Sequence, residues 1–308
     1  MNSIKEPLVS VVVFTYNSSQ TVKETLNSIK NQSYKNIELI ITDDASKDDT
    51  IWVCKEWLKD NSDRFLFTQL ITTEKNTGIS ANANRGCFAS NGEWIKIIAG
   101  DDKLLPNCVA SFVDFVSYNL GADVIFSKIV GFGDLDSKAA KICWWMDCGQ
   151  VFKLLSKREF MTVLCFRNFL PAASAFFKRS VFVALGGYDE SIPFIEDWPF
   201  WIKVLRNGYS MGFNNVVTVE YRFSNQSISQ KGKANTISLF KESSEKATSY
   251  AHSCLSELGA GAHFYKITTY NSFTYNSFLW KITHCLNLFN PFFYYKNKVF
   301  RKLEGIIK

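Results

Sequence analysis

The chain has 308 residues, 46% hydrophobic and 21% charged, which suits one large domain or two modest ones and excludes a disordered or collagen-like chain. Of 35 basic and 29 acidic residues, seven basic and one acidic fall in 259–308. That leaves 28 of each sign in 1–258 and puts the whole net charge of +6 at one end, which argues against a nucleic-acid binder with a basic body.

The longest uncharged run, residues 7–22, is half polar, so no segment matches the roughly 20 apolar residues of a membrane span. Residues 1–6 lack the basic-then-apolar order of a secretory signal. Eight cysteines without a C-x-x-C pair read as buried thiols of a reducing cytosol, and no second Cys/His pair completes a zinc site beside Cys143 and Cys148.

In chain order, the β-branched run 8–14 predicts a strand buried on both faces. Ser18 or Ser19 caps a helix to about residue 31, with Val22, Leu26 and Ile29 on one face. Strand 37–42, an Asp/Ser turn, helix 49–59, strand 65–71, helix 78–89 and strand 94–98 follow. Pro106 opens a helix through 120, and 123–130 resumes strand. This alternation predicts a mostly parallel sheet with helices on both faces. The second half is less regular: loops over 131–152, helix 157–164, strand 172–177, helix 197–207, strand 216–219, a polar loop 224–235 and a helix near 236–258. The stretch 259–262 is the clearest linker, and an aromatic-basic tail follows.

Ligands of an open parallel sheet bind beyond the carboxyl ends of its strands. There stand Thr15, Tyr16 and Asn17 after the first strand, Asp43 and Asp44 after the second, and Asp101 and Asp102 after the fourth. Four carboxylates at one edge repel one another unless a cation or hydrogen-bond donors compensate. A hard divalent ion bridging to a diphosphate is one natural compensator.

The segments VSVVVFTYN (9–17), IITDDASKDDT (40–50), NTGISANANRG (76–86), GEWIKIIAGDD (92–102) and GGYDESIPFIEDWPFW (186–201) resemble, in order, the family 2 glycosyltransferases of the GT-A fold. The resemblance covers roughly residues 7–230. It implies a Rossmann-like α/β catalytic domain over 1–258, with nucleotide-sugar binding in about 7–130 and acceptor binding in about 131–258. The residues 259–308 are left as an amphipathic segment.

By the same resemblance, Thr15, Tyr16, Asn17, Asp43 and Asp44 hold the nucleoside, while Asn76, Gly78, Asn84 and Arg85 approach the nucleotide-sugar and its diphosphate. Asp101 and Asp102 share ribose contact and ligation of Mn2+ or Mg2+, and which does which stays open. Glu196-Asp197 matches the motif whose acid serves as general base, with Asp197 the base and Glu196 in support. A carboxylate suits that task, because an acceptor hydroxyl must lose its proton as it attacks. Trp198 and Trp201 are placed to raise the base's pKa or to stack on the acceptor sugar. Arg222 is a phosphate-binding or fold-supporting residue, and Lys231 and Lys233 sit in a loop that could close over the diphosphate.

Three departures stand out: Ala83-Asn84 where the family commonly has Arg-Asn, Ala99 where it has a first Asp, and Asn225 near its His. The implied activity is inverting transfer of a hexose or N-acetylhexosamine from a nucleotide-sugar, UDP-linked by preference. The implied acceptor is a lipid-diphosphate-linked sugar, as in O-antigen or surface-polysaccharide assembly. The basic tail suits a peripheral position on the inner face of the cytoplasmic membrane. Two alternatives remain at this point. A nucleotidyltransferase would want a Gly-rich basic first loop, which residues 15–19 lack, and a non-catalytic sugar or lipid-head binding module is suggested by Ala99.

Overall fold

The structure is a computed structural model that describes residues 6–134, 148–166, 168–224 and 234–257. The tail 259–308, its linker, Asn225, Lys231, Lys233, Cys143 and Cys285 lie outside the described residues. The chain divides into two compact units, Met1–Gly149 with Phe169–Ala247, and Gln150–Asn168 with Thr248–Lys308.

The first unit is built on an eight-stranded sheet: β1 (Val9–Thr15), β2 (Ile37–Asp43), β3 (Phe67–Thr72), β4 (Trp94–Ala99), β5 (Lys103–Leu104), β6 (Val124–Gly133), β7 (Phe176–Lys178) and β8 (Met211–Phe223), in the order β3-β2-β1-β4-β7-β6-β8-β5. The block β3-β2-β1-β4 is wholly parallel. Beyond it β7 runs antiparallel to both β4 and β6, β6 and β8 are parallel, and β5 closes the edge antiparallel to β8.

The helices are α1 (Val22–Lys30), α2 (Thr50–Asn61), α3 (Ile79–Ala89), α4 (Cys108–Tyr118), α5 (Gly149–Leu154), α6 (Lys157–Phe166), α7 (Arg179–Ala184), α8 (Asp197–Arg206) and α9 (Ala234–Glu257). β1 shows why the parallel block is covered on both faces. Val9, Val11 and Val13 share one core cluster with Val22, Leu26 and Ile29 of α1, Trp57 of α2 and Phe112 of α4. Val12, with its side chain on the opposite face by strand alternation, lies against α3 so closely that a Cβ at Gly86 would overlap it. At the change from parallel to antiparallel, Trp94, Phe176 and Phe112 stack with ring centroids 4.9 and 4.8 Å apart.

Two local expectations change. α1 begins at Val22, and neither Ser18 nor Ser19 caps it through its side chain. Their backbone N–H groups donate instead to Thr50 Oγ1 (2.7 Å) and Asp48 Oδ2 (3.0 Å), which joins the β1 turn to the start of α2. The strand expected over 172–177 opens as a 3-10 turn, Ala172–Ser174, and only Phe176–Lys178 pairs. The turn is pinned by Lys96, which donates to the Ala173 carbonyl (2.6 Å).

In the second unit, Ser156 and Glu159 form a reciprocal cap at the start of α6, a Ser-x-x-Glu box that satisfies orphan N–H groups. Phe152 and Phe160 meet edge to face at 4.9 Å. Among the described residues no helix is long and apolar enough to cross a membrane. The six described cysteines, Cys54, Cys87, Cys108, Cys148, Cys165 and Cys254, are buried thiols.

Candidate active site

The sheet register brings the sequence-marked turns together. Thr15 lies level with Asp43, and Phe14 with Ala99, so the carboxyl ends of β1, β2 and β4 share one edge. Gly100 fits there because it has no side chain, since a Cβ would come within 2.8 Å of the Thr15 methyl.

At the end of β2, both carboxylates are buried and fully engaged. Asp43 accepts from the Thr15 hydroxyl (2.8 Å) and from the backbone N–H and hydroxyl of Ser46 (2.8 and 2.6 Å). Asp44 accepts from the backbone N–H groups of Thr77 (2.9 Å) and Gly78 (2.8 Å), from the Thr77 hydroxyl (2.7 Å) and from Arg85 Nη2 (2.6 Å). Asn76 donates to the Asp44 carbonyl (3.2 Å). Two non-glycine residues here hold positive φ, Asn17 at 50° and Ala45 at 63°. Such strain persists only where the surroundings hold it, and it concentrates at functional sites. Asn17 is held by donation from the Lys47 N–H to its Oδ1 (2.7 Å). Tyr16 is 43% exposed beside it, an aromatic face open to a ligand.

Gly78, at φ +91°, could carry no side chain, because a Cβ would stand 2.6 Å from Pro193 Cβ. Its conformation turns consecutive N–H groups toward Asp44 at the head of α3. Asn84 lies on the other flank of α3 and is buried. Its amide clasps the backbone of Tyr188, accepting from the N–H at 2.9 Å and donating to the carbonyl at 3.0 Å, and also reaches Glu190 Oε1 (2.9 Å). Asn84 therefore faces the loop that leads to Glu196, apart from the Asp44 cluster that Asn76, Gly78 and Arg85 surround.

The second pair is different. Asp102 is buried and accepts from the Arg222 backbone N–H (2.8 Å), while Asp101 is half-buried. Burial raises both carboxyls above the ordinary range, and for Asp102 the neighbouring Asp101 charge raises it further. Arg222 opposes the rise in both, and Lys96 in Asp102. Arg222 binds the Asp101 carbonyl through Nε (2.7 Å) and Glu24 through Nη2 (2.6 Å), and lies 4.3 Å over the Phe132 ring. Lys96, wholly buried on β4, donates to the Ile97 and Ala173 carbonyls, and burial pushes its ammonium down to about 8.

Among the described residues no three side chains of metal-binding type converge. The two adjacent carboxylates suit a hard divalent ion that completes its shell with diphosphate oxygens and water.

Glu196 and Asp197 open α8, at the helix end where the dipole favours negative charge. Burial, and then the Asp197 charge, push Glu196 up to about 8. Asp197 Oδ1 accepts from the Trp198 N–H (2.7 Å). Trp201 corrects an expectation: it is 0% exposed and packed among Phe126, Phe177 and Phe200 at 4.9 to 6.4 Å. A ring enclosed in this way cannot stack on a sugar. Trp198 is buried as well, at 9%.

Sequence reasoning passed over Ser46, Thr77, Glu24 and Lys96. Ser46 carried a readable signal, since Asp-x-x-Ser is a turn pattern in which the carboxylate takes the later donors. Glu24 and Lys96 carried none.

The sequence model described as "Glycosyl transferase family 2" matches residues 10–185, more than half of the chain. EpsE of Bacillus subtilis (strain 168), named as a glycosyltransferase, is 33% identical over 136 residues, 44% of this chain and 48% of EpsE. The aligned region is thus about half that relative's length. Two solved structures share the fold. S. aureus TarS 1-349 in complex with UDP-GlcNAc has a TM-score of 0.59 at 17% identity, over 83% of this chain and 72% of that one. The mannosyltransferase PcManGT from Pyrobaculum calidifontis, in complex with GDP-Man and Mn2+, has a TM-score of 0.55 at 18% identity, over 86% and 80%. The extent of the family match, on a GT-A-like sheet whose edge gathers these carboxylates, makes the chain a member of glycosyl transferase family 2.

Proposed function

We propose that this glycosyltransferase moves a hexose or N-acetylhexosamine from a nucleotide diphosphate sugar, UDP-linked by preference, to a sugar hydroxyl with inversion at C1. The observation that carries the reading is the pairing, at one sheet edge, of a hydrogen-bonded acidic clasp with an acidic pair short of positive charge. The clasp holds the β1 and β2 turns where a nucleoside would lie against Tyr16 and Asn17. The second pair, Asp101 and Asp102, would hold Mn2+ or Mg2+, which supplies charge neutralisation for the diphosphate. UDP-GlcNAc bound to TarS and GDP-Man with Mn2+ bound to PcManGT support a nucleotide-sugar donor.

The acceptor oxygen forms its bond to C1 as the bond from C1 to the diphosphate oxygen breaks. The diphosphate leaves with the electron pair, and the hydroxyl proton passes to Asp197. Glu196, protonated near neutral pH, keeps the pair at a single negative charge. The proposed acceptor is a lipid-diphosphate-linked sugar of surface-polysaccharide assembly, reached from the inner membrane face. Its support is the excess of basic and aromatic residues in 259–308.

The test is a donor panel of UDP- and GDP-sugars with a sugar-diphosphate-lipid acceptor, with Mn2+ or chelator, on the wild type and Asp197→Asn. One donor should be preferred, chelation should abolish turnover, and the variant should lose about 10²- to 10⁴-fold in kcat. Undiminished turnover in Asp197→Asn removes the base assignment.

A further inference from the structure

The Gly186-Gly187 turn carries both residues at positive φ, +71° and +70°. A Cβ at Gly187 would stand 2.6 Å from Asn84 Oδ1. This turn, with the Asn84 clasp on its backbone, drives the Tyr188 side chain inward to 2% exposure. The ring packs edge to face on Phe182 (5.1 Å) and Phe200 (5.0 Å). For that packing alone, phenylalanine would serve. Among the described residues the buried Tyr188 hydroxyl has no hydrogen-bond partner, an arrangement that costs stability and calls for a reason.

Phe200 lies three residues after Asp197 on α8, and residues so spaced share a helix face. The titratable groups whose charge acts on the phenol are the Cys87 thiol of α3, Glu196 just before α8 and Asp197 at its start. We propose that the Tyr188 hydroxyl is a positioning group for the base, donating a hydrogen bond to the Glu196–Asp197 pair when that pair carries its negative charge. The inference rests on the reading of Asp197 as base. A phenol suits the task because it supplies a donor without adding charge. It stabilises the ionised carboxylate while Glu196 keeps the shared proton, and its own ionisation is suppressed chiefly by burial, with Cys87, Glu196 and Asp197 adding to the rise well above its usual value.

The experiment is a carbon-13 NMR titration of the side-chain carboxylates in the free protein, assigned with Glu196→Gln and Asp197→Asn. It compares the wild type with Tyr188→Phe, which keeps the ring. Loss of a donor to a charged acceptor should move the pair's titration upward by about one pH unit. The acidic limb of the pH–rate profile should move by the same amount, with the plateau kcat and the donor KM little changed. A difluorotyrosine at position 188, a stronger donor with the same ring, should move the titration the opposite way. Superimposable titrations in all three proteins overturn the proposal. Failure of the base assignment reads out separately, as full turnover in Asp197→Asn whatever happens at Tyr188.

Discussion

Two Asp-Asp turns follow two parallel strands at one sheet edge, and their surroundings make them opposites. Asp43 and Asp44 receive donors on every side, four of them on the Asp44 carboxylate, including the Arg85 guanidinium at 2.6 Å. Among the described residues Asp102 takes a single backbone donor, from Arg222, and burial beside Asp101 raises both acids' affinity for protons. One dipeptide is a closed clasp that joins the β1 and β2 turns to the head of α3. The other is an electrostatic deficit, short of donors and of positive charge. Buried charge is tolerable only where donors or counter-charge reach it, and the two turns meet that condition to different degrees.

The contrast can be broken most sharply at Asp44. Asp44→Ala leaves two backbone N–H groups and a part-buried guanidinium without their acceptor, and should cost about 3 kcal/mol in denaturant unfolding. A cost under about 1 kcal/mol would mean that the clasp holds nothing. Next in size is Gly78→Ala, which forces a Cβ into Pro193 at a φ that only glycine adopts without strain. It should lose about 2 kcal/mol by the same measurement.

The smallest stability change belongs to Asp102→Asn, within about 1 kcal/mol of wild type or above it, because it removes a repelling buried charge. The folded Asp101–Asp102 pair binds protons more tightly than the unfolded chain does. Its contribution to stability is therefore complete below the unfolded value of about 4 and is lost as pH rises past that value and through the raised titration of the folded pair. Mn2+ should accordingly raise the melting temperature at pH 7 and barely at pH 4, and Asp102→Asn should abolish that increment. An equal rise in the variant would move the cation elsewhere.

Asn84 and Arg85 show how far adjacency in sequence can mislead. They are neighbours on α3, yet helical geometry turns them to different flanks. Arg85 closes on Asp44, and Asn84 holds Tyr188 and Glu190 in the loop before Glu196. One helix thus ties the clasp to the loop before Glu196, with Ser80 adding a bond to the Ile192 carbonyl (2.5 Å). Read from sequence, both residues were expected at the donor. Trp201 errs for a related reason: a tryptophan beside a catalytic motif looks like a sugar platform until Phe126 and Phe177 from β6 and β7 enclose it.

The amino-acid sequence alone was enough for the parallel strand–helix alternation, the two acidic turns at strand ends and the acidic start of α8. Each rests on local periodicity and on composition within a few residues. Which acidic turn would be satisfied was decided only in three dimensions. The donors to Asp44 come from 33 to 41 residues away and the donor to Asp102 from 120 away. A carboxylate's charge state depends on what is packed around it, and no local pattern records that.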